Sequence, residues 1–202
     1  MAFAANATAT VGTSSVTLTG TSGSTTHSAT LSLSVTSTGG GPVVVFQDGA
    51  ESASSTFVRT NTTTTTQWTR NTTSPYAGTY RWKAGSSTGS NYGNNGDARL
   101  TTPTLSLAGA TSATLTYAFK HQTEANYDFF EVRISTDGGT TWTNLVHISG
   151  QSAAWSGWAP PASINLNAYV GQANVKVQFR LTTDVSVTGF GAAVDEVKIT
   201  KQ

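Results

Sequence analysis

Residues 175–181 read Val-Lys-Val-Gln-Phe-Arg-Leu. Successive side chains of an extended chain point to opposite faces. Val175, Val177, Phe179 and Leu181 therefore share one side, and Lys176, Gln178 and Arg180 share the other. This is a strand with one dry and one wet face. The same alternation recurs in ATLTYAFKH, where Leu115, Tyr117 and Phe119 share a face, and in DFFEVRIS, where Phe130, Val132 and Ile134 do. No window of helical length keeps apolar residues at the 3, 4, 7 spacing of a helix. Turn signals separate the strands: Asn95-Gly96-Asp97, Asp137-Gly138-Gly139 and Gly171-Gln172. Alternating strands without intervening helices predict an all-β chain, an antiparallel two-sheet sandwich with an extra N-terminal strand pair.

Composition narrows the function. The chain has 202 residues, 10% of them charged, with a net charge of +1. A nucleic-acid partner is not expected, because neutralising phosphates requires clustered Lys and Arg. No apolar run reaches the length of a membrane span. Cysteine is absent, which removes disulfides, thiolate metal sites and a cysteine nucleophile. Threonine makes up about a fifth of the residues, and its branched Cβ suits a pleated surface. A bland polar surface on strands suggests an extracellular protein. The opening MAFAANATAT lacks the basic and apolar regions of a secretion signal. It is read as the start of a piece cut from something longer.

Aromatic residues divide the chain. All five Trp and all six Tyr lie beyond residue 43. Residues 43–202 are expected to hold the main core. Residues 38–42, ending in Gly39-Gly40-Gly41-Pro42, read as a linker, and 1–37 as a strand pair containing VTLTG and ATLSLSV. Val16 and Leu18 line a face of one strand, and Ala29, Leu31, Leu33 and Val35 a face of the other. Two strands alone are marginal in water and leave edges unpaired. Residues 8–36 are therefore expected to dock on the main domain, on a neighbour, or on a second copy by strand addition.

The stretch from YAGTYRWKAG to STDGGTTWTNL, continued by YVGQANVKVQFRLTTDVSVTGFGAAVDEVKI, resembles the accessory β-sandwich of secreted bacterial metallopeptidases of the immune inhibitor A type. That jelly-roll sandwich is similar to MAM domains and to several carbohydrate-binding modules. VTLTGTSGSTTHSATLSLSV resembles the last strands of Ig-like repeats attached to such peptidases. The resemblance implies a non-catalytic module within a larger secreted protein.

Catalytic patterns are thin. H-E-x-x-H does not occur, and His27, His121 and His147 lack ligand spacing. GSSTG at 85–89 matches G-x-S-x-G around Ser87, but the motif needs a strand–turn–helix elbow and sits in a Gly/Ser loop. STDGGTTW at 135–142 fits an Asp box, in which Asp137 accepts turn amides and Trp142 packs against the hairpin.

Asp195 is the most informative charge. In AAVDEVKIT, period two places it with Ala193, Val197 and Ile199 on the inward face. A buried carboxylate must be compensated by a cation, an Arg partner or amide hydrogen bonds. The resemblance implies calcium: related jelly rolls carry F-E-x-G on the first strand and D-D-V on the last, tied by a Ca2+ ion. Here these are FQDG, Phe46 to Gly49, and Asp195-Glu196-Val197. Gln47 replaces the family's Glu, and Asp48, Glu51 and Asp97 could restore the charge. The expected ligand set is thus Gln47, Asp48, Glu51, Asp97 and Asp195. For a polysaccharide or cell-surface ligand, the candidate aromatics are Trp68, Tyr92, Trp155 and Trp158, which fall near loops. Together these readings predict a calcium-stabilised accessory or adhesion module. The alternatives are a self-assembling fibre subunit and a carbohydrate-binding module, with no enzyme activity in any of the three.

Overall fold

The computed structural model describes residues 12–35, 41–86, 90–152 and 157–202. Contacts divide the chain into two compact units, 1–41 and 42–202.

In the first unit, β1 (Gly12–Ser22) and β2 (Thr25–Val35) form an antiparallel hairpin. The two strands are longer than VTLTG and ATLSLSV alone. They meet at a two-residue turn in which Gly23 adopts φ 60°, the left-handed geometry that matches strand twist. The register pairs Val16 with Leu31, Leu18 with Ala29 and Ser14 with Leu33. One face is therefore Val16, Leu18, Ala29, Leu31, Leu33 and Val35. The other face is made of Thr and Ser.

In the second unit, the strands are β3 (Val43–Asp48), β4 (Val58–Asn61), β5 (Gln67–Asn71), β6 (Arg81–Gly85), β7 (Asp97–Thr101), β8 (Ala113–Gln122), β9 (Phe129–Ser135), β10 (Thr143–Ile148), β11 (Ala162–Asn165), β12 (Lys176–Thr182) and β13 (Gly191–Lys201). One sheet runs β10-β9-β12-β7-β4. The other runs β11-β8-β13-β6-β5, with β3 also paired to β13. All pairings are antiparallel. The dry faces meet over Trp68, Trp82, Tyr117, Phe130, Phe179, Leu100 and Val177. Tyr117 and Phe179 sit edge to face across the core, with centroids 5.2 Å apart.

The alternating stretches 113–121, 128–135 and 175–181 lie on β8, β9 and β12. One phase differs. Along β13 the core-facing residues are Ala192 and Val194, then Val197 and Ile199. The step from 194 to 197 is three residues. Pairing with β8 jumps between Asp195 and Lys198, and Glu196 adopts φ 48°. A β-bulge thus inserts one residue at 195–196. Asp195 accordingly lies on the face opposite Val194, away from the sandwich interior and under residues 76–77. The inward position expected from strict period two is corrected by this bulge.

Three loops meet at one end of the sandwich. β9 and β12 are neighbours, with Phe129 opposite Thr182. The residues just outside this pair, 123–128 and 183–190, are therefore adjacent. The segment 90–96 joins them, with Tyr92 N donating to Gly189 O at 3.0 Å and Asn95 N to Asp184 O at 2.5 Å.

Candidate metal centre

The five residues expected to share one ion do not form one group. Gln47 is exposed on β3, opposite Lys198. Asp97 lies on the other sheet, where it is clamped by two arginines: Arg180 Nε reaches Oδ1 at 2.8 Å, Arg180 Nη2 reaches Oδ2 at 2.8 Å, and Arg99 also binds both oxygens. Burial works against ionisation there, but the two guanidinium groups prevail and hold the Asp97 carboxyl down at about 2. Its membership of the expected set is corrected on this ground.

Glu51 and Asp195 both meet residues 76–80, Asp48 meets Ala50, Ser55 and Trp82, and N–H and O–H donors serve all three. Asp48 Oδ1 accepts Ala50 N at 2.8 Å and Trp82 Nε1 at 2.9 Å, and its Oδ2 accepts Ser55 Oγ at 2.6 Å. Glu51 Oε1 accepts the amides of Thr79 and Tyr80 at 3.0 and 2.8 Å. Asp195 Oδ2 accepts the amides of Tyr76 and Ala77 at 2.9 and 3.2 Å, and Oδ1 that of Glu196 at 2.8 Å. Burial still pushes the Asp195 carboxyl upward, against these amides. Its charge in turn acts on the buried Arg81 guanidinium. Of the three compensations open for Asp195, amide hydrogen bonds are in place and an arginine is in electrostatic reach.

A second group was not singled out from the sequence. The oxygens of Glu124, Asp128 and Asp184 lie within 4.8 Å of one another. Asp128 is fully buried. Its Oδ2 accepts Tyr92 Oη at 2.5 Å, and its Oδ1 accepts the Asp184 amide at 2.7 Å. Among the described residues, no Lys or Arg pairs with these three carboxylates. Partial burial and the charges of Asp184 and Asp128 push the Glu124 carboxyl upward. Glu124 Oε2 is buried with no hydrogen-bond partner, and so is Oδ1 of Asn94, whose Nδ2 is spent on Val185 O at 2.7 Å. Three carboxylates and orphaned oxygens beside them make a hard-oxygen donor set of the kind calcium takes. A sequence signal did exist: two acids four apart in the turn TEANYD between strands. The third, Asp184, is 56 residues from Asp128, and only the β9–β12 pairing brings it near.

The expected ligand aromatics separate as well. Trp68 and Tyr92 are each only 2% exposed. Trp68 packs in the core with Nε1 on Ala98 O at 3.2 Å, and Tyr92 backs Asp128. Neither presents a face to a sugar, because burial of a large ring outweighs its nearness to a loop. Trp158 is half-buried, with its ring 5.7 Å from Tyr76 and the Lys120 ammonium 5.2 Å above it. Trp155 and Ser87 lie outside the described residues. Two histidines are engaged by neighbours: His121 packs beside Phe119 and Phe130, where burial lowers its pKa, and His147 stacks on Phe129 and bonds Glu131 at 2.8 Å. The Asp box is built locally. Asp137 accepts Thr140 N at 3.0 Å and Thr141 N at 2.9 Å, Gly138 and Gly139 take positive φ, and Trp142 Nε1 returns to Gly139 O at 3.0 Å.

Among solved structures, the K3 cleaved adhesin domain of Lys-gingipain from Porphyromonas gingivalis is 20% identical and has a TM-score of 0.51, over 78% of this chain and 99% of that one. The K1 domain of the same protein is 16% identical with a TM-score of 0.51, over 76% and 96%. The CBM22-1 xylan-binding domain of Paenibacillus barcinonensis Xyn10C is 8% identical with a TM-score of 0.51, over 79% and 95%. At these identities the likeness is one of β-sandwich fold. No curated protein matches the chain in sequence. Among the described residues, no helix is long and apolar enough to cross a membrane. The ordered strands, the bulged last strand and the single Asp box all belong to the segment 39–202, which matches the family model "Immune inhibitor A-like, MAM domain", and the chain is a member of that family.

Proposed function

We propose that the chain is a non-catalytic, calcium-stabilised accessory module of a secreted bacterial protein, associated with a peptidase and serving attachment. The observation that carries the calcium is the convergence of Glu124, Asp128 and Asp184, with Glu124 Oε2 orphaned and no Lys or Arg ion-paired to them among the described residues. An uncompensated carboxylate group of this kind costs stability, and a divalent ion would convert the cost into a link between loops 123–128 and 183–190. Family membership and the adhesin-like fold support the accessory and attachment role. The test is calorimetric titration of the chelated chain with calcium. One site is expected in the wild type and none in Asp184→Asn; equal binding by both would refute this address for the ion.

The hairpin supports a second reading, self-association. Leu18 and Leu31 on its apolar face are 39% and 40% exposed within the chain. Docked as added strands on another copy, this face would be covered. Size-exclusion chromatography at rising concentration should then show oligomers that deletion of residues 1–41 abolishes. A monomer throughout would end this reading.

A further inference from the structure

The wet face of the β10-β9-β12-β7-β4 sheet is ordered in rows. Thr60, Arg99, Arg180, Glu131 and His147 stand side by side, and next to them Val58, Thr101, Gln178 and Arg133. Where this second row meets the Asp box there is a cavity of about 300 Å3. Its floor is Gln178, whose amide is fixed by Thr101 Oγ1 at 2.9 Å and by Arg133. One wall is Trp142, partly buried, with the Arg133 guanidinium 5.3 Å from its ring. Lys176 stands beside it at the rim, its Nζ 3.8 Å from where a side chain at Gly139 would begin. Arg99 forms the opposite side.

The charge around this cavity is one-sided. Arg99 and Lys176 line it, and no carboxylate does. The two acids of the sheet face are already engaged, Asp97 by Arg99 and Arg180, and Glu131 by Arg180 and His147. Among the described residues Lys176 has no ion-pair or hydrogen-bond partner, and Arg133 has no carboxylate on it. An indole plate, a fixed amide, threonine hydroxyls, the unpaired Lys176 ammonium and, beside it, the Asp97-paired Arg99 guanidinium form the chemistry that grips a sugar ring carrying a negative group. Trp142 offers stacking area, Gln178 and Thr104 offer hydroxyl partners, and Lys176 and Arg99 offer the counter-charge.

We infer that this cavity is a binding site for an acidic polysaccharide, with Trp142 as the stacking surface and Lys176 and Arg99 as the anion contacts. The inference rests on the reading of the chain as an attachment module and names its ligand class. The site lies on a different sheet face from the aromatics first considered, Trp68, Tyr92 and Trp158.

The test is affinity electrophoresis of the whole chain in gels containing polygalacturonate, dextran sulfate, neutral xylan or no polymer. Retardation is expected by polygalacturonate, by dextran sulfate or by both, which tells carboxylate from sulfate recognition, and it should weaken with added salt. Lys176→Glu removes no hydrogen bond or ion pair of the described residues and should cut that retardation at least tenfold, as should Trp142→Ala. Melting curves identify any loss caused by unfolding, and Lys176→Glu decides the matter if Trp142→Ala is unstable. Retardation by acidic polymers that both variants retain would overturn the site. Retardation by xylan alone, unchanged in the variants, would overturn the acidic ligand while leaving the attachment role standing. No retardation by any polymer would overturn the site as well.

Discussion

Two groups of carboxylates in this sandwich have the same composition and opposite surroundings. Asp48, Glu51 and Asp195 are met by backbone amides, an indole N–H and a serine hydroxyl. Glu124, Asp128 and Asp184 face each other; Asp128 and Asp184 also accept hydrogen bonds, but Glu124 Oε2 has no partner. In the first group Asp195 and Glu51 hold residues 76–80, while Asp48 holds Ala50, Ser55 and Trp82. The second is a concentration of three carboxylates with no ion-paired cation among the described residues. Acidic residues near strand ends therefore do not by themselves mark an ion site; what matters is whether they crowd one another and whether donors satisfy all of them.

The largest expected effect sharpens that contrast. Asp195→Ala strands three amides, and each buried group left unpaired costs about 1–3 kcal/mol. We expect a loss of about 3 kcal/mol in urea unfolding, with the gain from calcium unchanged. A variant as stable as wild type would mean that water replaces the carboxylate freely.

Next comes the ion. Calcium at a hundredfold excess over its Kd should add about 2.7 kcal/mol. In a domain of this size that raises Tm by roughly 5–10 °C. Asp128→Asn should remove most of that gain while making the chelated protein slightly more stable than chelated wild type, because one of three like charges is gone. Differential scanning calorimetry with calcium and with EDTA reads both. A calcium gain that survives Asp128→Asn but disappears in Asp48→Asn would reverse the comparison.

The smallest effects are in pH. Asp97, held at about 2, has a folded pKa below its unfolded value of about 3.9. Its contribution is present above pH 4 and should fade as pH falls toward 2, and Arg180→Gln should flatten that limb. Glu124 has a folded pKa raised above its unfolded value of about 4.3. In EDTA, stability should therefore decline as pH rises through the window above 4.3, and calcium should abolish the decline. Thermal melts across pH 2–7 with and without calcium would expose the two slopes. Slopes of the same sign would refute the contrast between the arginine-clamped Asp97 and the crowded Glu124.

Much of the fold was legible because alternation is a local property. Val175 to Leu181 declares its dry face within seven residues, and so do 113–121 and 128–135. The error at Asp195 arose from the same rule. A bulge costs one residue of phase, and nothing in AAVDEVKIT announces that Glu196 will take φ 48°. Trp68 and Tyr92 were misplaced for a related reason: nearness to a loop in sequence says little about burial. Asp97 has one partner in plain view, Arg99 two residues on along the same strand face, but its second, Arg180, lies 83 residues away.

From its sequence alone this protein is an all-β sandwich of low charge with no cysteine chemistry and no legible nucleophile–base pair, because composition and period-two patterning act residue by residue. Tertiary structure alone decided which acids are capped and which are left facing each other, and where Trp142 lies beside the unpaired Lys176 ammonium. The physical reason is distance along the chain. Strand pairing joins Asp128 to Asp184 and Arg99 to Arg180, and the sign and reach of electrostatics are set by such pairings, which no local window contains.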